Sequence, residues 1–263
     1  MPTIETSEQR IVQEEKISFR NCRGDNLSGV LHHPSAGDST GTVILCHGME
    51  SDKNSEKLIF LGRQLAQSGV LTLRFDFAYV GESSGKFEEI TYSGEVDDLK
   101  AAYAWVQSRQ PGKTAILGSS MGGTVALLFA AQEPKVVGLV TVAAPLHPEK
   151  FPRRKLTAPQ LQEWRERGFV YYHGHRLNAS LLDDLDRLDV AAAARNVSCP
   201  VLILHGDADE VVPVEEAYEL NGCLASSKRL LILKETDHRL SDPSVMQKAT
   251  EEALAWLVDH VRN

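Results

Sequence analysis

The residue best placed to do chemistry is Ser120, which lies in the motif GSSMG at residues 118–122. An apolar run (residues 114–117) precedes the motif, and a helix-like run (residues 124–132) follows it. A G-x-S-x-G motif between a strand and a helix is typical of a nucleophile elbow, a sharp turn that pushes the serine hydroxyl outward. Without these flanking elements the same letters would indicate an ordinary loop. Their presence favours a nucleophilic serine.

A serine hydroxyl needs a base to take its proton, usually a histidine oriented by a carboxylate. His238 is the only histidine in the loop after the predicted strand at residues 229–233. It would otherwise be a surface histidine, but the order serine, acid, histidine along the chain favours a base. Asp207 and Asp209 both follow the strand at residues 201–205. Asp207 lies in a tight turn where it could cap the backbone, so Asp209 is preferred and Asp207 stays open.

Acyl transfer at a serine also requires donors for the developing oxyanion. The backbone N–H of Met121, directly after the serine, is one candidate. The N–H of Met49 is the second, because Cys46-His47-Gly48-Met49 follows an early strand. His47 precedes the serine in the chain and is interpreted as a structural loop residue.

These side chains require a framework that brings distant loops to one edge. Strands alternate with helices along most of the chain, which predicts an α/β fold with a mostly parallel sheet covered by helices on both faces. Two strands near the N-terminus, around a turn at Arg23-Gly24-Asp25, would add an antiparallel edge. The predicted strands are residues 11–20, 26–32, 42–46, 70–77, 114–117, 136–142, 201–205 and 229–233. The predicted helices are residues 56–67, 93–108, 121–132, 215–220 and 243–260.

Residues 146–189 interrupt this alternation and predict a cap or lid insertion, with residues 1–145 and 190–263 as the core domain. A peripheral decoration is the alternative. The insertion holds an amphipathic segment (residues 158–167), an aromatic patch (169–172) and a leucine-rich helix (179–188). His173 and His175 are interpreted as an exposed hairpin. Candidate substrate-binding residues, which packing would also explain, are Tyr79, Trp164, Phe169, Tyr171 and Tyr172.

The formal net charge of −8 argues against nucleic acid or an anionic membrane as a partner. The one dense basic run, residues 153–155, is expected to be a solvated loop. No segment is apolar long enough to span a bilayer, and the polar N-terminus predicts a cytoplasmic protein. No cofactor or metal is expected, and a monomer or homodimer is anticipated.

Taken together, the motifs resemble the α/β-hydrolase superfamily over nearly the whole chain. The segments Phe75-Asp76-Phe77, residues 81–87 and residues 95–99 are further similar to bacterial cinnamoyl and feruloyl esterases and to the monoacylglycerol-lipase and serine-aminopeptidase-like group. The resemblance implies a Ser120–His238–Asp209 triad, an oxyanion hole from Met49 and Met121, and a small cap. Those relatives commonly carry glycine where this chain has Tyr79.

The expected activity is hydrolysis of small or aromatic carboxylic esters through an acyl-enzyme on Ser120. The same triad would also serve a monoacylglycerol lipase, thioesterase, peptidase or C–C hydrolase. A non-catalytic ligand-binding protein on this scaffold is the alternative from a different class.

Overall fold

A computed structural model describes residues 12–35 and 37–262. The strands are β1 (Glu14–Arg20), β2 (Asn26–His32), β3 (Thr42–Cys46), β4 (Leu71–Phe75), β5 (Thr114–Ser119), β6 (Val136–Val142), β7 (Phe169–Tyr172), β8 (His175–Asn178), β9 (Val201–Gly206) and β10 (Lys228–Leu233). The helices are α1 (Glu56–Gln67), α2 (Tyr92–Arg109), α3 (Met121–Ala130), α4 (Phe151–Lys155), α5 (Ala158–Arg167), α6 (Ser180–Leu185), α7 (Val190–Arg195), α8 (Val214–Cys223) and α9 (Pro243–Arg262). Ile11, the start of the first predicted strand, lies outside the described residues.

Eight strands form the main sheet in the order β1-β2-β4-β3-β5-β6-β9-β10. The six strands from β4 to β10 in that order run parallel to one another, while β2 pairs antiparallel with both β1 and β4 at one edge. The α/β class and the antiparallel first hairpin are therefore confirmed.

The two faces of the sheet bury separate apolar cores, as the alternating side chains of a strand require. In β3, Ile44 and Cys46 pack on the face covered by α2, α3, α7 and α8, whereas Val43 and Leu45 pack on the face covered by α1 and α9. Because both faces are covered, the central strands are continuously apolar, and this property makes them recognisable in the sequence.

The carboxyl ends of the parallel strands meet at one edge of the sheet. Cys46 pairs with Gly118 across β3 and β5, and Leu233 pairs with Gly206 across β10 and β9. The loops that follow these four strands carry Met49, Ser120, the two aspartates and His238. A parallel sheet thus brings together groups that are far apart in the chain.

The segment between β6 and α7 lies outside the main sheet and holds α4, α5, α6 and the separate β7–β8 hairpin. The hairpin turns at His173 and Gly174, both at positive φ (47° and 83°), so the predicted hairpin is confirmed. Residues 153–155 are exposed as predicted, but the prediction of a loop is wrong, because these residues end α4, where Arg154 pairs with Glu216. The leucine-rich helix is shorter than expected and ends at Leu185.

No helix within the described ranges combines the length and the apolar character that a bilayer crossing requires.

Candidate active site

Ser120 occupies a strained turn between β5 and α3, with φ of 51° and ψ of −124°. A non-glycine residue rarely adopts these angles, and such strain costs roughly 1–3 kcal/mol. The neighbouring glycines make the turn possible. A Cβ on Gly118 would overlap the backbone of Gly122, and one on Gly122 would overlap the carbonyl of His47. The G-x-S-x-G spacing thus follows from close backbone contact.

The Ser120 hydroxyl lies 3.0 Å from Nε2 of His238, although 118 residues separate them. On the other side of the ring, Nδ1 of His238 lies 2.8 Å from Oδ2 of Asp209. When Nδ1–H donates to Asp209, Nε2 is left as the acceptor for the serine hydroxyl. The structure brings these three predicted residues into one hydrogen-bonded chain.

The Asp209 side chain is fully buried and fully hydrogen-bonded. Its Oδ1 accepts the N–H groups of Val211 and Val212 at 2.8 and 2.7 Å. Burial alone would raise the pKa of Asp209, but hydrogen bonds from His205, His238 and the Val212 N–H outweigh it and hold the pKa below its usual range. Asp209 therefore stays ionised beside His238.

Asp207 occupies a different position from Asp209. Its backbone N–H donates to Leu233 O at 3.0 Å, and the residue is exposed. The structure thus separates two aspartates that the sequence left as competitors. His205, which lies 3.4 Å from Asp209 Oδ2, was not among the predicted site residues. Its position at the end of β9, just before the two aspartates, was the feature of the sequence that could have indicated a place in the site.

The loop after β3 lies directly beside the serine. A Cβ on Gly48 would lie 3.3 Å from the Ser120 Cβ and 4.0 Å from its Oγ. Over the described part of the chain, the N–H groups of Met49 and Met121 donate to no backbone carbonyl. They are therefore available to a ligand beside the serine.

His47 braces this loop. Its Nδ1–H donates to Gly48 O at 2.8 Å, and its Nε2 accepts the Phe77 N–H at 3.1 Å. Burial lowers the pKa of His47, which agrees with a neutral ring in this donor–acceptor arrangement. This geometry matches the structural role predicted for it.

A buried ion cluster behind the same loop was missed by sequence reasoning. The Lys53 ammonium, 1% exposed, lies 2.6 Å from both Asp76 Oδ2 and Glu82 Oε2. Asp76 Oδ1 also accepts the Lys53 N–H at 2.7 Å. Lysine is almost never buried without a partner, but nothing local in the sequence marks this lysine as buried.

An apolar pocket lies between the core and the segment from β6 to α7. On the core side, its lining includes Met49 and Met121, the residue after Ser120. From the segment between β6 and α7, the lining includes Trp164, Tyr171 and Tyr172. Trp164 is buried and its Nε1–H donates to Leu177 O at 3.1 Å, so it also holds the segment together. Tyr92, which was not predicted as a site residue, lines the same pocket.

Two of the candidate substrate-binding residues lie apart from this lining. The Phe169 ring packs under two guanidinium groups. The Cζ atoms of Arg167 and Arg176 lie 4.7 and 4.2 Å from its ring centroid. Tyr79 has φ of 79°, and its ring occupies the space that a Cβ on Gly85 would need. The positive φ explains why glycine suits the Tyr79 position in proteins that resemble this one.

The chain is similar to known hydrolases. The family described as serine aminopeptidase, S33, matches residues 37–189, more than half of the chain. A relative, the palmitoyl-protein thioesterase ABHD10 of Bos taurus, named as mitochondrial, is 27% identical over 258 residues. The alignment covers 93% of this chain and 80% of that protein.

Two solved structures share the fold. Est1E from Butyrivibrio proteoclasticus, solved with ferulic acid bound, superposes with a TM-score of 0.84 at 21% identity, covering 94% of this chain and all of that one. A putative hydrolase from Agrobacterium vitis gives a TM-score of 0.79 at 25% identity, with coverage of 94% and 100%. The fold is that of the α/β hydrolases.

Proposed function

The chain belongs to the serine aminopeptidase S33 family of α/β hydrolases, and from that premise we propose that it hydrolyses small or aromatic carboxylic esters through an acyl-enzyme on Ser120. The observation that carries the proposal is the pair of hydrogen bonds made by His238, 3.0 Å to Ser120 and 2.8 Å to Asp209. That arrangement supplies a nucleophile, a base and a group that orients the base.

In the first half-reaction, Ser120 Oγ attacks the ester carbonyl carbon while His238 Nε2 takes the hydroxyl proton. Asp209 keeps the proton of Nδ1 in place and stabilises the imidazolium that forms. The N–H groups of Met49 and Met121 donate to the carbonyl oxygen as it becomes negative. Each such donor is worth about 3–4 kcal/mol in the transition state. The tetrahedral intermediate collapses, and the alcohol leaves with the proton from Nε2.

In the second half-reaction a water molecule replaces the alcohol. His238 Nε2 takes a proton from the water, whose oxygen attacks the acyl carbon. The same two N–H groups stabilise the second oxyanion. When this intermediate collapses, His238 returns its proton to Ser120 and the carboxylic acid is released.

We further propose that residues 146–189 act as a cap that holds the acyl group. The apolar lining supports this role, because apolar pockets with a few polar groups are typical of small-molecule sites. The Trp164–Leu177 hydrogen bond gives the cap a fixed wall. An acyl group with an apolar body fits such a lining better than a charged or peptide-like one.

A thioester substrate is the second candidate. The observation that favours it is the relation to a protein named as a palmitoyl-protein thioesterase, at 27% identity over 93% of this chain. The triad geometry serves both leaving groups, because the thiol or alcohol is expelled from the same kind of tetrahedral intermediate.

The cytoplasmic location and the monomeric or homodimeric state stay predictions.

The test compares Ser120→Ala with Ser119→Ala, a matched control one residue away. With p-nitrophenyl butyrate and its S-acyl analogue, we expect Ser120→Ala to lose at least about 10³-fold in kcat and Ser119→Ala to stay within a few-fold of the wild type. A fluorophosphonate probe should label the wild type and fail on Ser120→Ala. Wild-type turnover by Ser120→Ala would refute the proposal. A wild type that binds esters but neither hydrolyses them nor reacts with the probe would favour a binding protein.

A further inference from the structure

His205 is a second buried histidine beside the carboxylate of Asp209. It lies near the end of β9, and its side chain is 1% exposed. Its Nε2 atom lies 2.9 Å from Val212 O and 3.4 Å from Oδ2 of Asp209. The same Oδ2 atom lies 2.8 Å from Nδ1 of His238. One carboxylate oxygen thus lies between two imidazole rings, although the proposed mechanism uses only His238.

The neighbours of His205 determine which form its ring takes. Both atoms that face Nε2, the carbonyl oxygen of Val212 and the carboxylate oxygen of Asp209, can only accept hydrogen bonds. An unprotonated Nε2 would direct its lone pair at two acceptors, so Nε2 carries a proton and donates it to them. The two histidines are therefore opposite at Nε2, because Nε2 of His238 must accept the hydroxyl proton of Ser120.

His205 connects the loop of residues 207–213 to the sheet. The strand fixes its backbone, since His205 pairs with Ile232 of β10. Its Nε2–H reaches Val212 O, and the Val212 N–H donates to Oδ1 of Asp209 at 2.7 Å. Asp209 is thereby held at both oxygens, at Oδ1 by N–H groups of its own loop and at Oδ2 by a side chain of β9. The position of Oδ2 depends on the strand as well as on the loop.

The hydrogen bond from His205 also stabilises the charge of Asp209. Burial raises the pKa of Asp209, and the largest opposing contribution is the hydrogen bond from His205, ahead of that from His238. A buried carboxylate that loses a donor becomes costlier to keep ionised. Without His205, the catalytic histidine would also be the only one of these two rings that holds Oδ2.

We propose that His205 is a positioning residue of the triad, whose Nε2–H holds Oδ2 of Asp209 at hydrogen-bonding distance from Nδ1 of His238. The inference rests on the proposed function and assigns His205 no contact with the substrate. A residue that acts through Asp209 matters only while the Asp209 carboxylate is present. A residue that contributes only to packing matters in either case, and this difference can be measured.

The first experiment measures kcat and KM on p-nitrophenyl butyrate for His205→Leu, which removes the donor, and His205→Gln, whose amide N–H can replace Nε2–H. Outer hydrogen-bond partners of metal-binding histidines contribute roughly 10- to 100-fold to activity. By analogy we expect His205→Leu to lower kcat by that factor with little change in KM, and His205→Gln to recover most of the loss. The matched control is His32→Gln on β2, which removes another fully buried imidazole and should keep the wild-type kcat.

A double-variant cycle tests whether His205 acts through Asp209. In an Asp209→Asn background, His205→Leu should change kcat by less than about 2-fold, because no carboxylate remains to be positioned. A further loss as large as that in the wild-type background would show a contribution from packing alone and would overturn the inference. Urea unfolding checks that each variant is folded. If His205→Leu does not fold, His205→Asn takes its place, because the shorter amide does not reach Asp209.

A spectroscopic measurement separates this inference from the proposed activity. The His238 Nδ1 proton should give a low-field proton resonance that His238→Gln lacks, and this resonance reports on the contact with Asp209 without turnover. We expect His205→Gln to retain the resonance and His205→Leu to shift it upfield or broaden it by exchange with water. This result supports the inference even if no ester is hydrolysed. The inference is overturned if His205→Leu leaves the resonance unchanged, if an active enzyme loses no kcat on that substitution, or if a folded His205→Gln loses as much kcat as His205→Leu.

Discussion

The His173 imidazole lies 2.7 Å, through Nδ1, from Oε1 of Glu50, a contact across 123 residues of chain. Glu50 directly follows Met49, and His173 forms the turn of the β7–β8 hairpin. Arg239, the residue after His238, reaches the same carboxylate at 3.8 Å. The hairpin is therefore joined to the loop that carries Met49 and, through Glu50 and Arg239, to the loop that carries His238.

Removing this contact should loosen the hairpin without unfolding the protein. Both partners are partly exposed, at 62% and 38% of the side chain, so the pair is worth at most about 1 kcal/mol. We expect His173→Ala and Glu50→Ala each to raise hydrogen-exchange rates of the β7 amides by about 2- to 5-fold. The double variant should add little, because both changes remove one interaction. Unchanged hydrogen-exchange rates in all three variants would show that the His173–Glu50 contact does not hold the hairpin.

Asp209→Asn should lower kcat on p-nitrophenyl butyrate by about 10³–10⁴-fold, because an amide does not hold the required tautomer of His238. Asp207→Asn provides the control, since Asp207 is an exposed residue in the same loop. We expect its kcat to stay within 2-fold of wild type, with unchanged circular dichroism for both proteins. A larger loss of kcat in Asp207→Asn than in Asp209→Asn would instead identify Asp207 as the residue that orients His238.

Lys53→Met should destabilise the fold strongly, because it leaves the fully buried Asp76 carboxylate without its cation. Loss of one partner of a buried pair costs about 3–5 kcal/mol. The matched control is Glu82→Gln, since Glu82 contacts the same ammonium but its side chain is 58% exposed. The control should cost far less, because the exposed carboxyl group stays solvated in the folded protein. Urea unfolding measures both, and equal losses would show that burial does not decide the contribution of this cluster.

His32 should make stability pH-dependent below neutrality. Burial, and then the charge of Arg74, lower its pKa from 6.5 to about 4. Between these values the unfolded chain binds a proton that native His32 does not, so unfolding becomes easier as the pH falls from 6.5 towards 4. From pH 7 to pH 5 this term amounts to about 2 kcal/mol.

The matched variant is His32→Gln, which retains an acceptor for the Arg74 Nε–H that lies 2.8 Å from the ring. Its free energy of unfolding should decrease by about 2 kcal/mol less than that of the wild type between pH 7 and pH 5. Equal decreases in the two proteins would mean that the native histidine is protonated at pH 5.

The framework was predictable because its signals are local. Strands β2, β3 and β6 and helix α1 have the predicted bounds. Strands β3 and β6 are largely apolar runs, and α1 is a helical repeat of leucines. The elbow is equally local, since its glycines and serine are adjacent in the chain. The α/β-hydrolase resemblance follows from such short motifs and is confirmed by the match to residues 37–189.

The segment between β6 and α7 was less predictable. The sequence predicts a loop for residues 153–155, since three consecutive positive charges give no apolar repeat, but these residues end α4. Its Arg154 is instead placed by Glu216, 62 residues later. The burial of Tyr92 and of the Lys53 ammonium likewise depends on neighbours brought in from other elements.

The amino-acid sequence by itself thus determined the class of fold and predicted a nucleophile with a short choice of partners. Only the tertiary structure separated Asp209, which lies beside His238, from the exposed Asp207, and only it formed the apolar wall around Tyr92. The physical reason is the separation along the chain of the residues that interact. Secondary structure and tight turns depend on neighbouring residues, whereas the 2.8 Å contact of His238 with Asp209 and the burial of Tyr92 exist only once the parallel strands have brought distant loops to one edge.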